Sequence, residues 1–182
     1  MRKLRKIIIF VLIAVVIYNG VPSMLKKVYP MKHSQLIYNY AKKYDLDPYF
    51  VAAVIKTESN FNSNAVSCKN AYGLMQITSS TGIWIAEQMK LKDFQVDKLF
   101  QPEYNISMGC WYLDDLKKEF GGNMDLVLAA YNGGRGNVQK WLSETEHSKD
   151  GKNLHYIPFK ETDKYVKKVK VSYNIYRFLY SK

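Results

Sequence analysis

A chain of 182 residues, 47% hydrophobic and 24% charged, has the length and balance of one globular domain and is neither disordered nor repetitive. Two cysteines exclude a disulfide-dense scaffold. His33, His147 and His155 stand apart from one another and from Cys68 and Cys110, so no zinc spacing is present and neither metal nor cofactor is expected. With 27 basic residues against 16 acidic and a formal charge of +11, the chain suits an anionic partner or surface.

Arg2, Lys3, Arg5 and Lys6 precede an unbroken apolar run from Ile7 to Tyr18. The run is shorter than the ~20 residues that cross a bilayer, but Gly20, Val21, Met24 and Leu25 extend it before Lys26 and Lys27. A cleaved signal ends in small residues, and Tyr18-Asn19-Gly20-Val21-Pro22-Ser23 matches that pattern poorly. A retained anchor over residues 1–27 is therefore favoured, a single-pass membrane helix with its basic head in the cytoplasm and residues 28–182 outside. Secretion after signal cleavage is the alternative. Without the four N-terminal basic residues the remainder is still about +7. Outside the membrane the abundant polyanions are wall polymers and lipid head groups, so nucleic acid is not an expected partner.

The rest of the chain reads as mostly helical. Ser34 to Tyr44 is an amphipathic segment, and Asp47-Pro48 supplies an N-cap with proline at the first helical position. The helix it opens puts Val51, Val54, Ile55 and Glu58 on one face of a 3.6-residue period. Ala71 to Ile77 is expected to form a short hairpin or an extended turn around Gly73, and Ser79 or Ser80 to cap a helix running to about Met89. Pro102 opens a helix that Gly121-Gly122 stops, and Asn123 caps the next, Met124 to Asn132. Helices over Gly136–Glu144 and Thr162–Tyr180 follow. The polar stretch Thr145 to Phe159 between them is a candidate cleft-edge loop.

Glu58 is the candidate catalytic residue. A carboxylate at the end of an apolar stripe loses water, which disfavours the charged form and raises the pKa toward the range of a general acid near neutrality. Such a group can protonate a leaving oxygen. From periodicity alone, a capping or salt-bridged glutamate is the competing reading. Between Ser59 and Ala86 there is no Asp or Glu, whereas ordinary glycosidases pair the acid with a second carboxylate. One carboxylate suffices if the substrate supplies its own nucleophile, although Asp114, Asp115 or Glu161 could fold back from farther along the chain.

Glu58-Ser59-Asn60-Phe61, then Ser67, then Ala71-Tyr72-Gly73-Leu74-Met75-Gln76-Ile77 resemble the catalytic core of the soluble lytic transglycosylases, relatives of goose-type lysozyme. Asn105-Ile106 with Gly109 and Tyr112-Leu113, Ala130-Tyr131-Asn132 with Gly134, and Glu161-Thr162 with Tyr165-Val166 and Val169 resemble three further elements of that family, in the same order. The resemblance implies a mainly α, lysozyme-like α+β domain with a small β-hairpin region. Its groove would bind the glycan strands of peptidoglycan, with Glu58 as acid and then base. Tyr131 would be the second catalytic residue, its hydroxyl orienting the N-acetyl group or stabilising developing charge. Ser59, Ser67, Met75, Gln76, Asn132 and Glu161 would contact substrate.

The implied reaction cleaves the bond between N-acetylmuramic acid and N-acetylglucosamine and closes a 1,6-anhydro ring. The alternatives are a hydrolytic muramidase on the same fold and a glycan-binding protein without turnover. A larger envelope assembly is a partner that such a location allows. Ser79 stands where the family commonly has proline, which loosens the turn after Gln76. An exported location also allows a Cys68–Cys110 disulfide, with two free thiols as the alternative.

Overall fold

The structure, a computed structural model, describes residues 2–181, with the side chains of residues 2, 8 and 11–19 outside that description. Helix α1 (Arg2–Val28) leads into α2 (Ser34–Lys43) and α3 (Pro48–Ser59). A two-stranded antiparallel hairpin follows, β1 (Ala71–Tyr72) and β2 (Ile77–Thr78), with Ala71 opposite Thr78 and Tyr72 opposite Ile77. Then come α4 (Ser79–Gln88), a short 3-10 turn (Val96–Phe100), α5 (Pro102–Glu119), α6 (Met124–Gly133), α7 (Arg135–Ser143) and α8 (Lys160–Tyr180). The sequence reading places no element over the 3-10 turn.

Local chemistry accounts for the element boundaries. The Asp47 carboxylate accepts the Tyr49 amide at 2.8 Å to start α3, and Asn60 and Phe61, both in the left-handed region, end it. The Asn123 side chain caps α6 by accepting from the amides of Asp125 and Leu126. Helix α4 is capped by Thr78, whose hydroxyl accepts the Thr81 amide at 3.2 Å. Ser79 and Ser80, expected as caps, sit instead in its first turn, because the strand delivers Thr78 in the extended conformation that a cap needs.

Helix α3 is the centre of the molecule. Every residue from Val51 to Ile55 is fully buried, so the apolar face expected from the sequence is a helix enclosed on all sides. α8 packs along it, contributing Tyr165, Val166, Val169, Tyr176 and Leu179 to the core. α2 and α5 cover other faces. Cys110 lies in this core on α5 while Cys68 is exposed on the loop before β1, and the two thiols are free, the second of the two alternatives the sequence left open. The Thr145–Phe159 loop does not border the cleft that holds Glu58. It lines concavities with α7, α6 and α8 on other parts of the surface.

Among the described residues no helix is long and apolar enough to cross a membrane. Most of the apolar run that suggests an anchor, residues 11–19, lies outside the described side chains. The helix that carries the run is continuous through Pro22 to Val28.

The hairpin is fixed to the helices by Asn105, fully buried on α5. Its amide oxygen accepts the Met75 N–H at 2.7 Å, and its amide nitrogen donates to Tyr72 O and Leu99 O at 2.9 and 2.8 Å. Gly73 turns at φ 73°, and a Cβ there would stand 2.2 Å from the Leu99 carbonyl oxygen and 2.4 Å from the Asn105 amide nitrogen. Gly109, one turn after Asn105, leaves room for the buried Met75 side chain, whose sulfur would lie 2.3 Å from an added Cβ. Replacing Asn105 by Ala removes three hydrogen bonds, those to the Met75 N–H, Tyr72 O and Leu99 O. The expected cost is about 2–4 kcal/mol of unfolding free energy, read from the urea midpoint of the Asn105→Ala variant.

Candidate active site

Glu58 sits in the last turn of α3 and opens onto a trench of about 950 Å³. The trench runs between the end of α3, the loop from Asn60 to Gln76 and the exposed face of α8. Ser59, Ser67, Gln76, Lys168 and Ser172 are among its lining residues. The carboxyl is pushed up to about 7 from an ordinary 4.5, chiefly because burial strips it of water. The Tyr165 hydroxyl holds it down, the negative charge of Glu161 pushes it up, and Lys168 pulls it down, in that order of size. A glutamate near a helix C-terminus also faces the negative end of the helix dipole, which acts in the same direction as burial.

Two tyrosines face this carboxyl. Tyr131, from α6, donates its hydroxyl to the Met75 carbonyl at 2.8 Å, and burial followed by the charge of Glu58 raises its own pKa well above the ordinary value. Tyr165, from α8, is buried beside Glu58, and no hydrogen bond of standard geometry closes on its hydroxyl. Tyr165 was legible in the sequence only as part of the closing Glu161…Tyr165 segment. Its spacing of three from Thr162 and four to Val169 is the signal that places it on the buried face of α8.

The residues expected to contact substrate divide into three groups. Ser59, Ser67 and Gln76 line the trench, but each also braces backbone. The Ser59 hydroxyl donates to Leu74 O at 2.8 Å, and the Ser67 hydroxyl accepts the amides of Lys69 and Ala71 at 3.2 and 3.1 Å. The Gln76 amide nitrogen donates to Gly73 O and Ala65 O at 2.9 and 3.2 Å, which leaves its carbonyl oxygen for a ligand. Glu161 stands exposed in the first turn of α8, paired with Lys69 of the opposite loop at 3.0 Å. Met75 and Asn132 are not among the trench-lining residues. Met75 is fully buried, and the Asn132 side-chain oxygen accepts the Thr162 hydroxyl at 2.9 Å, tying α6 to α8.

Among the described residues that line the trench, Glu58 is the one carboxyl group. Of the distant acids, Glu161 comes near enough for its charge to act on Glu58, whereas Asp114 and Asp115 are held elsewhere. Asp114 pairs with Lys118 at 2.6 Å, while Arg135 holds Asp115 and, at 3.2 Å, Glu119. Arg135 also covers the rings of Trp84 and Tyr112, at 4.9 and 5.5 Å from their centroids. Trp141 is buried against Phe159, so neither it nor the face of Trp84 under Arg135 is open to a sugar. The arrangement can deliver one proton near neutrality and take one back, and no second carboxyl is among the described residues that line the trench.

A mainly helical domain with a single acid at the end of its central helix is the architecture of a lysozyme-like glycan-cleaving fold. The family described as the transglycosylase SLT domain matches residues 35–154, and the chain belongs to that family. It is similar to the soluble lytic murein transglycosylase of Salmonella typhimurium, 32% identical over 154 residues that cover 84% of this chain and 24% of that one. It is also similar to the membrane-bound lytic murein transglycosylase C of Yersinia enterocolitica, 34% identical over 125 residues, covering 64% of this chain and 35% of that one. The crystal structure of the 70 kDa soluble lytic transglycosylase from Escherichia coli superposes with a TM-score of 0.77 at 28% identity, covering 90% of this chain and 27% of that one. The chain thus spans about a quarter of the length of the soluble relatives it matches.

The raised acid makes stability depend on pH in a defined direction. Below pH 4.5 both folded and unfolded chains hold the Glu58 proton. Between 4.5 and about 7 the unfolded chain releases it and the folded one does not, so stability falls as pH rises and levels off above 7. Glu58→Gln removes this penalty. The variant is expected to match the wild type near pH 4 and to exceed it by about 2–3 kcal/mol at pH 8, measured by urea unfolding at both pH values.

Proposed function

We propose that the chain is a peptidoglycan lytic transglycosylase, a lyase cleaving the β-1,4 bond between N-acetylmuramic acid and N-acetylglucosamine. One observation carries this reading: the acid at position 58, raised to about 7, is the one carboxyl among the described trench-lining residues. The family and the names of the relatives support the substrate class.

In the proposed reaction the protonated Glu58 gives its proton to the glycosidic oxygen as the bond from muramoyl C1 breaks. The carboxylate left behind accepts the proton of the muramoyl 6-hydroxyl as that oxygen bonds to C1. The product ends in a 1,6-anhydro ring, and no water is consumed. A pKa near the working pH suits both halves, since the group must be a competent acid and then a competent base. Tyr131 and Tyr165 flank the carboxyl, where hydroxyl groups oppose charge developing at C1 and the N-acetyl group. Ser59, Ser67 and Gln76 shape the trench, with the free Gln76 oxygen toward the sugar, and Glu161 stands at its rim. Met75 and Asn132 act from behind the surface by holding the turn and α8.

We further propose that residues 1–27 anchor the protein as a single membrane-spanning helix and that residues 28–182 work outside the cytoplasm. The basic head followed by an apolar block supports this, as does the existence of membrane-bound relatives.

Glu58→Gln is expected to lower cleavage of purified sacculi by about 10³-fold or more while leaving glycan binding in place. Mass spectrometry of wild-type products should show ends lighter by one water than reducing muramic acid. Reducing ends would assign a muramidase, and an uncut wall with Glu58 intact would assign a glycan-binding protein.

A further inference from the structure

The two ends of the chain hold no acid. All 16 acidic residues lie between Asp45 and Asp163, so residues 1–44 and 164–182 carry basic charge alone. The fold then packs these ends together. The Tyr180 and Tyr176 hydroxyls, from α8, donate to Tyr29 O and Pro30 O at 2.8 and 3.0 Å, just past the end of α1. Lys26, in the last turn of α1, sits 5.3 Å from the Tyr180 ring centroid. Joining two segments of one sign concentrates positive potential where they meet.

Helix α8 turns a matching face outward. Tyr165, Val166, Val169, Tyr176 and Leu179 point to the core, and across the same 3.6-residue period stand Lys160, Lys164, Lys167, Val171 and Phe178, all exposed. The first half of that face is cationic and the second half is apolar. Val171 is 57% exposed and Phe178 69%, with the half-buried Ile175 between them. At the end of α1 that α8 holds, Met24 and Val28 are also exposed. Lys164 and Lys168 have no salt bridge among the described residues, nor have Lys26, Lys27 and Arg177.

Open apolar side chains beside free ammonium groups fit a surface with hydrocarbon beneath anionic head groups. The apolar tips enter the interface while the lysines reach the phosphates. A soluble polyanion would use the lysines and leave Val171 and Phe178 in water. We propose that the outward face of α8, together with Lys26 and Lys27 of α1, docks on the surface of an anionic bilayer, so that the domain lies against the membrane instead of swinging on its leader. Val171 also lines the trench, so docking sets the trench beside the bilayer and directs it to the wall strands nearest the membrane.

The proposal rests on the reading that residues 1–27 carry the chain to a membrane, and the test separates the two. The full chain carries Cys68→Ser, which removes the exposed thiol, and Asn174→Cys, which places a fluorophore on the exposed face between Val171 and Phe178. It is reconstituted in phosphatidylcholine vesicles with and without phosphatidylglycerol. Flotation reads attachment, and acrylamide quenching reads exposure of the label. With phosphatidylglycerol present, quenching at position 174 is expected to fall about threefold, while the same label at Glu87→Cys, exposed on α4, is unchanged. Phe178→Asp should restore quenching with an unchanged thermal midpoint, because that side chain is exposed, and Phe178→Leu should keep the protection. A chain that floats with position 174 as open as position 87 overturns the docking and leaves the anchor standing. A chain that does not float overturns both. Equal protection in neutral vesicles overturns the anionic assignment, and protection in neutral vesicles that appears only on adding poly(glycerol phosphate) assigns the face to a wall polymer instead.

Discussion

The structure turns on keeping one carboxyl out of water while leaving it reachable. Glu58 achieves this by its place on the chain: it is the last acid-bearing turn of a helix enclosed from Val51 to Ile55, and α8 closes over the same end. Where α3 stops, Asn60 and Phe61 take left-handed conformations and turn the chain aside, so the trench begins at the carboxyl. A buried acid destabilises the folded state above its ordinary pKa, and that cost is what gives it a proton near neutrality. Fold stability and proton donation are opposed here, and the extensive core around α3 is what makes the opposition tolerable.

A second constraint holds the surface opposite the acid. The turn from Gly73 to Gln76 buries Leu74 and Met75 in the core, and three helices grip its backbone through single hydrogen bonds. Ser59 from α3 takes Leu74 O, Asn105 from α5 takes the Met75 N–H, and Tyr131 from α6 takes Met75 O. Motif elements that lie far apart in sequence therefore meet on the backbone of two residues. Several polar side chains that read as ligand contacts serve this brace, and Ser67 and Asn132 do comparable work in the loop before β1 and at the junction of α6 with α8. Tyr131 belongs to both roles, since the hydroxyl that pins the turn is also beside Glu58.

Much of this was legible in the sequence because the signals are local. Asp47-Pro48, Asn123 and Pro102 mark helix starts by the hydrogen-bonding and dihedral limits of single residues, and the hairpin around Gly73 follows from its positive φ. The desolvation of Glu58 followed from an acid continuing an apolar period. The misses are all long-range. Thr78 replaced Ser79 and Ser80 as a cap because the strand geometry, not residue type, decided which hydroxyl was extended. The burial of Met75 depends on the space left by Gly109 on another element. Lys56 from α3 and Lys168 from α8 line the same trench, and no spacing rule brings those two residues together.

Site-specific carbon-13 NMR of the Glu58 carboxyl in the folded chain, followed across pH 3 to 9, addresses the claim on which the rest is built. A titration midpoint near 7 is the expected result, with the resonance moving to an ordinary glutamate midpoint near 4.5 in denaturant. A folded-state midpoint at or below 4.5 would mean that the side chain keeps its water, and the proton donor proposed here would not exist.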